Sequence, residues 1–531
     1  MRIRAITVLA CGLMLAACAP GGDPAPTIEP HEKLAGLAAY IESSFDDWDV
    51  PGLAVGVVYE GKIVYAQGFA IKQSGRDEPV DADTLFQIGS VSKSFGAAAI
   101  GTLVDDGKLS WDDPVVQHLP WFETSDPEFT QKLTVRDLLA HRSGIPEDLY
   151  PALEVMSGRE AAERIRKLDN YGAYGTHRYS NIGYGLLGLI VEEVTGQSWS
   201  EWTKQRLFEP LGMRHSAGSP LDIWDAAYVA PTFLGTATGG EGSIDNNSGR
   251  NVAMPHGVDR DGARRILDWQ SYDNMQAAGS VVSSALEMTR WLQLHLGDGT
   301  VDGHAVLGQE TLNELHTAQV ASTGSFIFAE AAETSYGMGW EINQFGGSSY
   351  LYHGGGIFGF PAYVAMMPEI NAGVVVLANG SMWTPYYPHQ EISAWVFAQL
   401  LALEERDWHS ETMQQIQAIQ AMADQGLAAF AAMKAPDAAW AYPLPAYVGT
   451  YRDVHGGELI VEESDDGLQL RFIADGSFSG SLEPMNPQLA LLYFDGGDGQ
   501  ALSRAPASFV FTDESVTTID LGRMGRYERV E

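Results

Sequence analysis

Ser90-Val91-Ser92-Lys93 is a Ser-x-x-Lys placed where the chain turns helical, and it is the only one in the sequence. A separation of three sets both side chains on one helix face with β-carbons about 5–6 Å apart, so the amine can reach the hydroxyl. A serine hydroxyl is a weak nucleophile. It needs a neighbouring base, and a lysine in a partly desolvated site can act as one. At a helix N-terminus, unpaired N–H groups and the helix dipole also favour a developing oxyanion. The same four residues read equally as an N-cap serine followed by a solvated first-turn lysine, so spacing alone leaves both readings open.

Two further groups could complete such a site. Tyr179-Ser180-Asn181 offers a phenol as a second proton carrier beside an amide, at the mouth of a helix predicted from about Gly183. Tyr272-Asp273-Asn274 has the same spacing in a different local setting, and Tyr179 is preferred. His353-Gly354-Gly355-Gly356 is read as following a strand, with small residues that let a substrate backbone approach and a backbone N–H complete an oxyanion hole. His455-Gly456-Gly457 reads as an ordinary hairpin turn. The chain has no His-Glu-x-x-His, no P-loop and no Gly-x-Ser-x-Gly around Ser90. Asp259-Arg260-Asp261-Gly262 lacks the remaining ligands of a calcium loop and is read as a turn, so neither metal nor cofactor is expected.

Several elements must position these groups. Leu34, Leu37, Ala38 and Ile41 have helical spacing and precede a hairpin formed by Leu53 to Val58 and Ile63 to Tyr65. Ser90 to Gly107 predicts a buried helix, followed by a largely helical region with patterns at Val135 to Leu139, Gly183 to Val194 and Leu286 to Leu296. Gly235 to Gly249 is a predicted surface loop. Strands return at Tyr350 to His353, Ala362 to Met367 and Gly373 to Leu377, before a helix at Glu391 to Leu403. A catalytic domain is therefore placed at 33–405, a helical connector at 406–440 and a small all-β domain at 441–531. The fold class is α/β in the α+β sense.

In order, Ser90-x-x-Lys93, Tyr179-x-Asn181 and His353-x-Gly355 resemble the serine β-lactamase and penicillin-binding-protein superfamily. The likeness is closest to class C β-lactamases, D,D-peptidases, D-aminopeptidases and related esterases. Leu85-Phe86-Gln87-Ile88-Gly89, Leu138-Leu139-Ala140-His141-Arg142-Ser143-Gly144, Pro210-Leu211-Gly212-Met213 and Tyr336-Gly337-Met338-Gly339-Trp340 extend it over roughly residues 35 to 400. The resemblance implies an antiparallel sheet flanked by helices plus a helical domain, and a β-barrel-like C-terminal domain of the kind some members append. It implies that Ser90 attacks an amide or ester carbonyl while Lys93 and Tyr179 move its proton. Asn181 would orient substrate, the N–H groups of Ser90 and Gly356 would form the oxyanion hole, and water would release the acyl group. His353 would face the substrate's carboxylate or acyl side. Dedicated β-lactamases mostly carry Lys-Thr-Gly at the third triplet. A histidine there, usually neutral at pH 7, points away from β-lactams and toward D,D-peptidases and D-peptide hydrolases.

Composition sets the surroundings. The formal charge of −37, from 69 acidic against 32 basic residues, repels phosphate backbones and argues against nucleic acid as a partner. Arg2 and Arg4 precede an apolar run from Ala5 to Ala17 that is too short for a permanent span and reads as a signal peptide over 1–17. Leu15-Ala16-Ala17-Cys18 resembles a bacterial lipobox, which implies lipidation of Cys18, a Pro- and Gly-rich tether over 18–32 and attachment to the cell envelope, facing the periplasm or exterior. The other cysteine, Cys11, lies in the removed segment, so the mature chain keeps neither a cysteine nucleophile nor a disulfide. The expected partners are a small peptide, ester or β-lactam substrate and, through the anchor, a membrane. A true β-lactamase and a non-catalytic anchored binding protein, with Ser90 only a cap, stand as alternatives.

Overall fold

The computed structural model describes residues 27–146, 155–168, 171–231, 250–258, 263–324, 326–328, 334–380, 387–454, 456–465, 467–472, 479–494 and 504–530. Cys18 and the signal segment, the loop at 235–249, Asp259 to Gly262 and His455 lie outside the described residues. No helix among the described residues is long and apolar enough to cross a membrane.

Helix α1 (Leu37–Ser44) leads into strands β1 (Gly52–Tyr59) and β2 (Lys62–Ala70), which pair antiparallel. The chain then leaves the sheet for helix α2 (Ser92–Asp105), helix α3 (Asn181–Thr195) and helix α4 (Ala285–Leu296). It returns through β3 (Val320–Ser322), β4 (Thr334–Tyr336), β5 (Glu341–Phe345), β6 (Ser348–Ile357), β7 (Phe360–Met367) and β8 (Ala372–Ala378). The eight strands form one antiparallel sheet in the order β3-β4-β5-β6-β7-β8-β1-β2, so the first and last strands of the domain lie side by side, one strand in from an edge.

Strand alternation explains the two cores. Leu53, Val55 and Val57 of β1 pack with Leu37 and Ile41 of α1 and with Ile392, Val396 and Phe397 of helix α5 (Tyr387–Leu401). Ala54 and Val58 point to the opposite face, into the larger core shared with α2, α3 and α4. Helix α2 is buried from Ser92 to Leu103, and its Phe95 stacks on Trp291 of α4 with centroids 3.9 Å apart. A helix held on all sides is a rigid base for the residues at its N-terminus.

The His353 tract does not follow a strand, as its glycines suggest; it lies inside β6, where Gly354, Gly355 and Gly356 pair with Tyr363, Ala362 and Pro361 of β7. Glycine has poor intrinsic strand preference, and sheet pairing overrides it.

Beyond α5, helix α6 (Trp408–Ala432) leads to eight strands between Gly449 and Arg529 that close into an antiparallel barrel. Its interior holds Tyr451, Leu459, Val461, Leu470, Leu492 and Ile519. Closure leaves no unpaired edge.

Candidate active site

Ser90 sits in a short 3-10 turn, Gly89–Val91, that feeds α2, and is half-buried. One turn on, Lys93 is fully buried, and its Nζ lies 3.1 Å from Ser90 Oγ, 2.7 Å from Asn181 Oδ1 and 3.0 Å from the Ala278 carbonyl. Asn181 is brought there as the first residue of α3, which Ser180 caps by accepting the Gly183 N–H at 3.2 Å. Tyr179 precedes that cap, and Lys93 Nζ stands 4.7 Å from its ring centroid. Ala278 belongs to a one-turn helix, Gln276–Gly279, directly after the second Tyr-x-Asn match. That segment therefore contributes a carbonyl, whereas the phenol beside Lys93 is Tyr179.

The third triplet meets the first through backbone. A β-carbon on Gly355 would lie 2.0 Å from the Ile88 carbonyl oxygen and 2.9 Å from the Val91 nitrogen. One on Gly89, whose φ is +50°, would lie 2.6 Å from the Gly356 nitrogen. Only two glycines let β6 lie this close to the Ser90 turn. The approach sets the Gly356 amide beside the Ser90 turn, and both residues remain half-buried.

His353 is 4% exposed, and its ring is engaged inside the protein. Nδ1–H donates to the Gly354 carbonyl at 2.6 Å, and Nε2 accepts from the Tyr336 hydroxyl at 3.0 Å. Burial, and then the Lys93 charge, push its pKa down to about 3, so the ring is neutral at physiological pH. His353 thus brings no positive charge to the position where a cation would grip a carboxylate.

Three groups in this site had no signature in the sequence taken alone: the Ala278 carbonyl, Tyr336, and His141. Tyr336 and His141 lie in the stretches that carry the family resemblance, yet no spacing rule gives either a role. His141 packs against Tyr179 with centroids 4.3 Å apart and is 1% exposed. Among the described residues no group of His, Cys, Asp and Glu could hold a metal ion.

A serine and a buried lysine one turn apart, an amide and a phenol from a second helix mouth, and a glycine strand against the serine turn are an arrangement in keeping with serine hydrolases of the β-lactamase fold. The chain belongs to the Beta-lactamase family, whose profile matches residues 37–398. It is 29% identical over 353 residues to penicillin-binding protein 4 of Amycolatopsis lactamdurans, covering 64% of this chain and 83% of that one. It is 26% identical to the unguisins hydrolase ungD of Aspergillus violaceofuscus, covering 63% of this chain and 59% of the relative, so the match spans under two thirds of that protein's length. Among solved structures, the octameric penicillin-binding-protein homologue from Pyrococcus abyssi superposes with a TM-score of 0.59 at 24% identity, over 93% of this chain and 99% of that one. Its coverage includes the C-terminal region and shows the same fold.

Proposed function

We propose that the protein is a hydrolase that forms an acyl-enzyme on Ser90 and acts on peptide amides, D-residue peptides included, or on small esters. The observation that carries the proposal is the set of three contacts around Lys93 Nζ. Two are to oxygens that can only accept, Asn181 Oδ1 and the Ala278 carbonyl. When deprotonated, the amine can direct two N–H groups at them and turn its lone pair to the Ser90 hydroxyl, 3.1 Å away. Ser90 Oγ then attacks the substrate carbonyl as its proton passes to Lys93, and the N–H groups of Ser90 and Gly356 receive the oxyanion. Tyr179 gives its phenolic proton to the leaving amine or alcohol and is reprotonated from Lys93, and water then attacks the acyl group in the reverse sequence to free the acid. Membership of the Beta-lactamase family supports this chemistry. So does the likeness to a relative named for hydrolysing unguisins.

The neutral, doubly bonded His353 favours substrates whose binding does not depend on a carboxylate, and so favours amides and esters over β-lactams. A fluorophosphonate probe is expected to add to Ser90, located by peptide mass analysis, and p-nitrophenyl esters or D-aminoacyl anilides to turn over faster than nitrocefin. No adduct on Ser90, or nitrocefin turnover exceeding every ester and anilide tried, would refute the assignment.

We also place the enzyme at the bacterial cell envelope, facing the periplasm or exterior, through lipidation of Cys18. The basic and apolar leader with its lipobox-like end supports this. Cells expressing the full chain and fed a clickable palmitate are expected to label it, and Cys18→Ser is expected to remove both the label and the membrane association. Equal labelling of the variant would refute the anchor.

A further inference from the structure

We propose that His141 is the positioning residue of this active site, a clamp that holds Tyr179 from three directions at once. The inference rests on the reading of Tyr179 as a proton carrier. The carbonyl of His141 accepts the Arg178 N–H at 2.6 Å, and its Nδ1 accepts the Ser180 N–H at 3.1 Å. The residues on both sides of Tyr179, Arg178 and Ser180, are therefore tied through their N–H groups to one residue. The imidazole of that same residue lies against the Tyr179 ring, with centroids 4.3 Å apart and planes 34° apart.

Backbone geometry makes the double grip possible. His141 has φ +53°, in the left-handed region that costs a side-chain-bearing residue about 1 kcal/mol or more. Following a helix that ends at Leu139, this turn lets the carbonyl and the side chain of one residue both face the 178–180 segment. Two more rungs continue alongside: Gly175 N–H to the Arg142 carbonyl at 2.9 Å and Gly172 N–H to the Gly144 carbonyl at 2.8 Å. The strained residue is thus the end of a short ladder, placed where that ladder reaches the phenol.

The ring's protonation is set by the same contacts. Nδ1 accepts, so the ring proton sits on Nε2, which is buried without a hydrogen-bond partner; the rings of Tyr184, Tyr336 and His177 surround the imidazole, with centroids 4.9, 4.8 and 5.9 Å from its own. Burial and the nearby Lys93 charge hold its pKa well below the usual histidine range. The ring stays neutral and keeps its acceptor toward Ser180.

Two variants separate the clamp from bulk packing. Asparagine tolerates positive φ, and its Oδ1 can stand where Nδ1 accepts; glycine relieves φ but offers neither acceptor nor ring. Both are to be purified from the full chain and compared by thermal melting, steady-state ester hydrolysis from pH 5 to 10, and the rate of fluorophosphonate addition to Ser90. His141→Gly is expected to lower kcat by about 30-fold with KM within about twofold, because a misplaced proton carrier slows chemistry more than binding. His141→Asn is expected to recover kcat to within about threefold of wild type, and its pH profile is expected to keep the wild-type shape that His141→Gly loses. A folded His141→Gly enzyme with wild-type kcat and pH profile, or an asparagine variant as impaired as the glycine one, would overturn the clamp. If wild-type Ser90 itself takes no probe, the acyl-enzyme reading fails and the clamp with it; normal labelling of wild type alongside an unaltered glycine variant removes the clamp alone.

Discussion

Replacing Lys93 by methionine is expected to lower kcat/KM by at least about 10³-fold, with fluorophosphonate addition to Ser90 falling in parallel. Methionine fills a similar volume without an amine, so Ser90 keeps its place in the turn before α2 but loses the amine 3.1 Å from its hydroxyl. The fold should survive. Asn181 Oδ1 and the Ala278 carbonyl each lose a donor, a penalty of about 1–3 kcal/mol per buried group, while the burden of holding an amine at a fully buried position disappears with it. Melting within a few degrees of wild type is therefore the expected result. Arginine at the same position discriminates between two roles for the lysine. If Lys93 acted only as a fixed positive charge, Lys93→Arg would keep much of the activity. As a base it must give and take a proton, which a guanidinium does not do near neutrality, so the arginine variant should be as inactive as the methionine one. Probe addition to Ser90 at the wild-type rate in either variant would move the base elsewhere, with Tyr179 the next group to replace.

How much of this site could be read beforehand depends on the range over which each part is specified. Ser90 and Lys93 are three residues apart on one helix, and local geometry alone brings them together. Gly107 as the limit of the helix predicted from Ser90 is also a local signal, and α2 ends close to it. The close approach of β6 to the Ser90 turn spans more than 250 positions, and composition hid it, since three consecutive glycines look like a loop until β7 pairs with them. His141 was hidden for another reason. Its role comes from a left-handed backbone and two hydrogen bonds to residues 178 and 180, and neither feature follows from residue type or periodicity. His353 is the instructive intermediate. Its place in the third triplet is visible in the sequence, and so is its tendency to be neutral. The Tyr336 hydroxyl that occupies Nε2 comes from another strand, β4, and only the folded sheet brings it there.

Gly355→Ala is the second substitution with a large expected effect, and it tests whether backbone proximity is what the third triplet provides. The added methyl would stand 2.0 Å from the Ile88 carbonyl oxygen and 2.9 Å from the Val91 nitrogen, and both obstacles are main-chain atoms that no rotamer change can move. Strand β6 must therefore retreat from the Ser90 turn. Overpacking of this kind is worth about 1–3 kcal/mol of stability, because β6 is held on its other side by β7 and cannot swing freely. The catalytic loss should be larger than the stability loss implies. Retreat carries the Gly356 amide away from Ser90, and loss of one oxyanion donor lowers kcat by about 10²–10³-fold. The expected result is a protein that melts lower yet remains folded at 25 °C, binds a slow ester with nearly unchanged KM, and turns it over at least about 100-fold more slowly. A folded alanine variant with kcat near wild type would mean that the Gly356 amide is not the second donor and that the glycine serves packing alone.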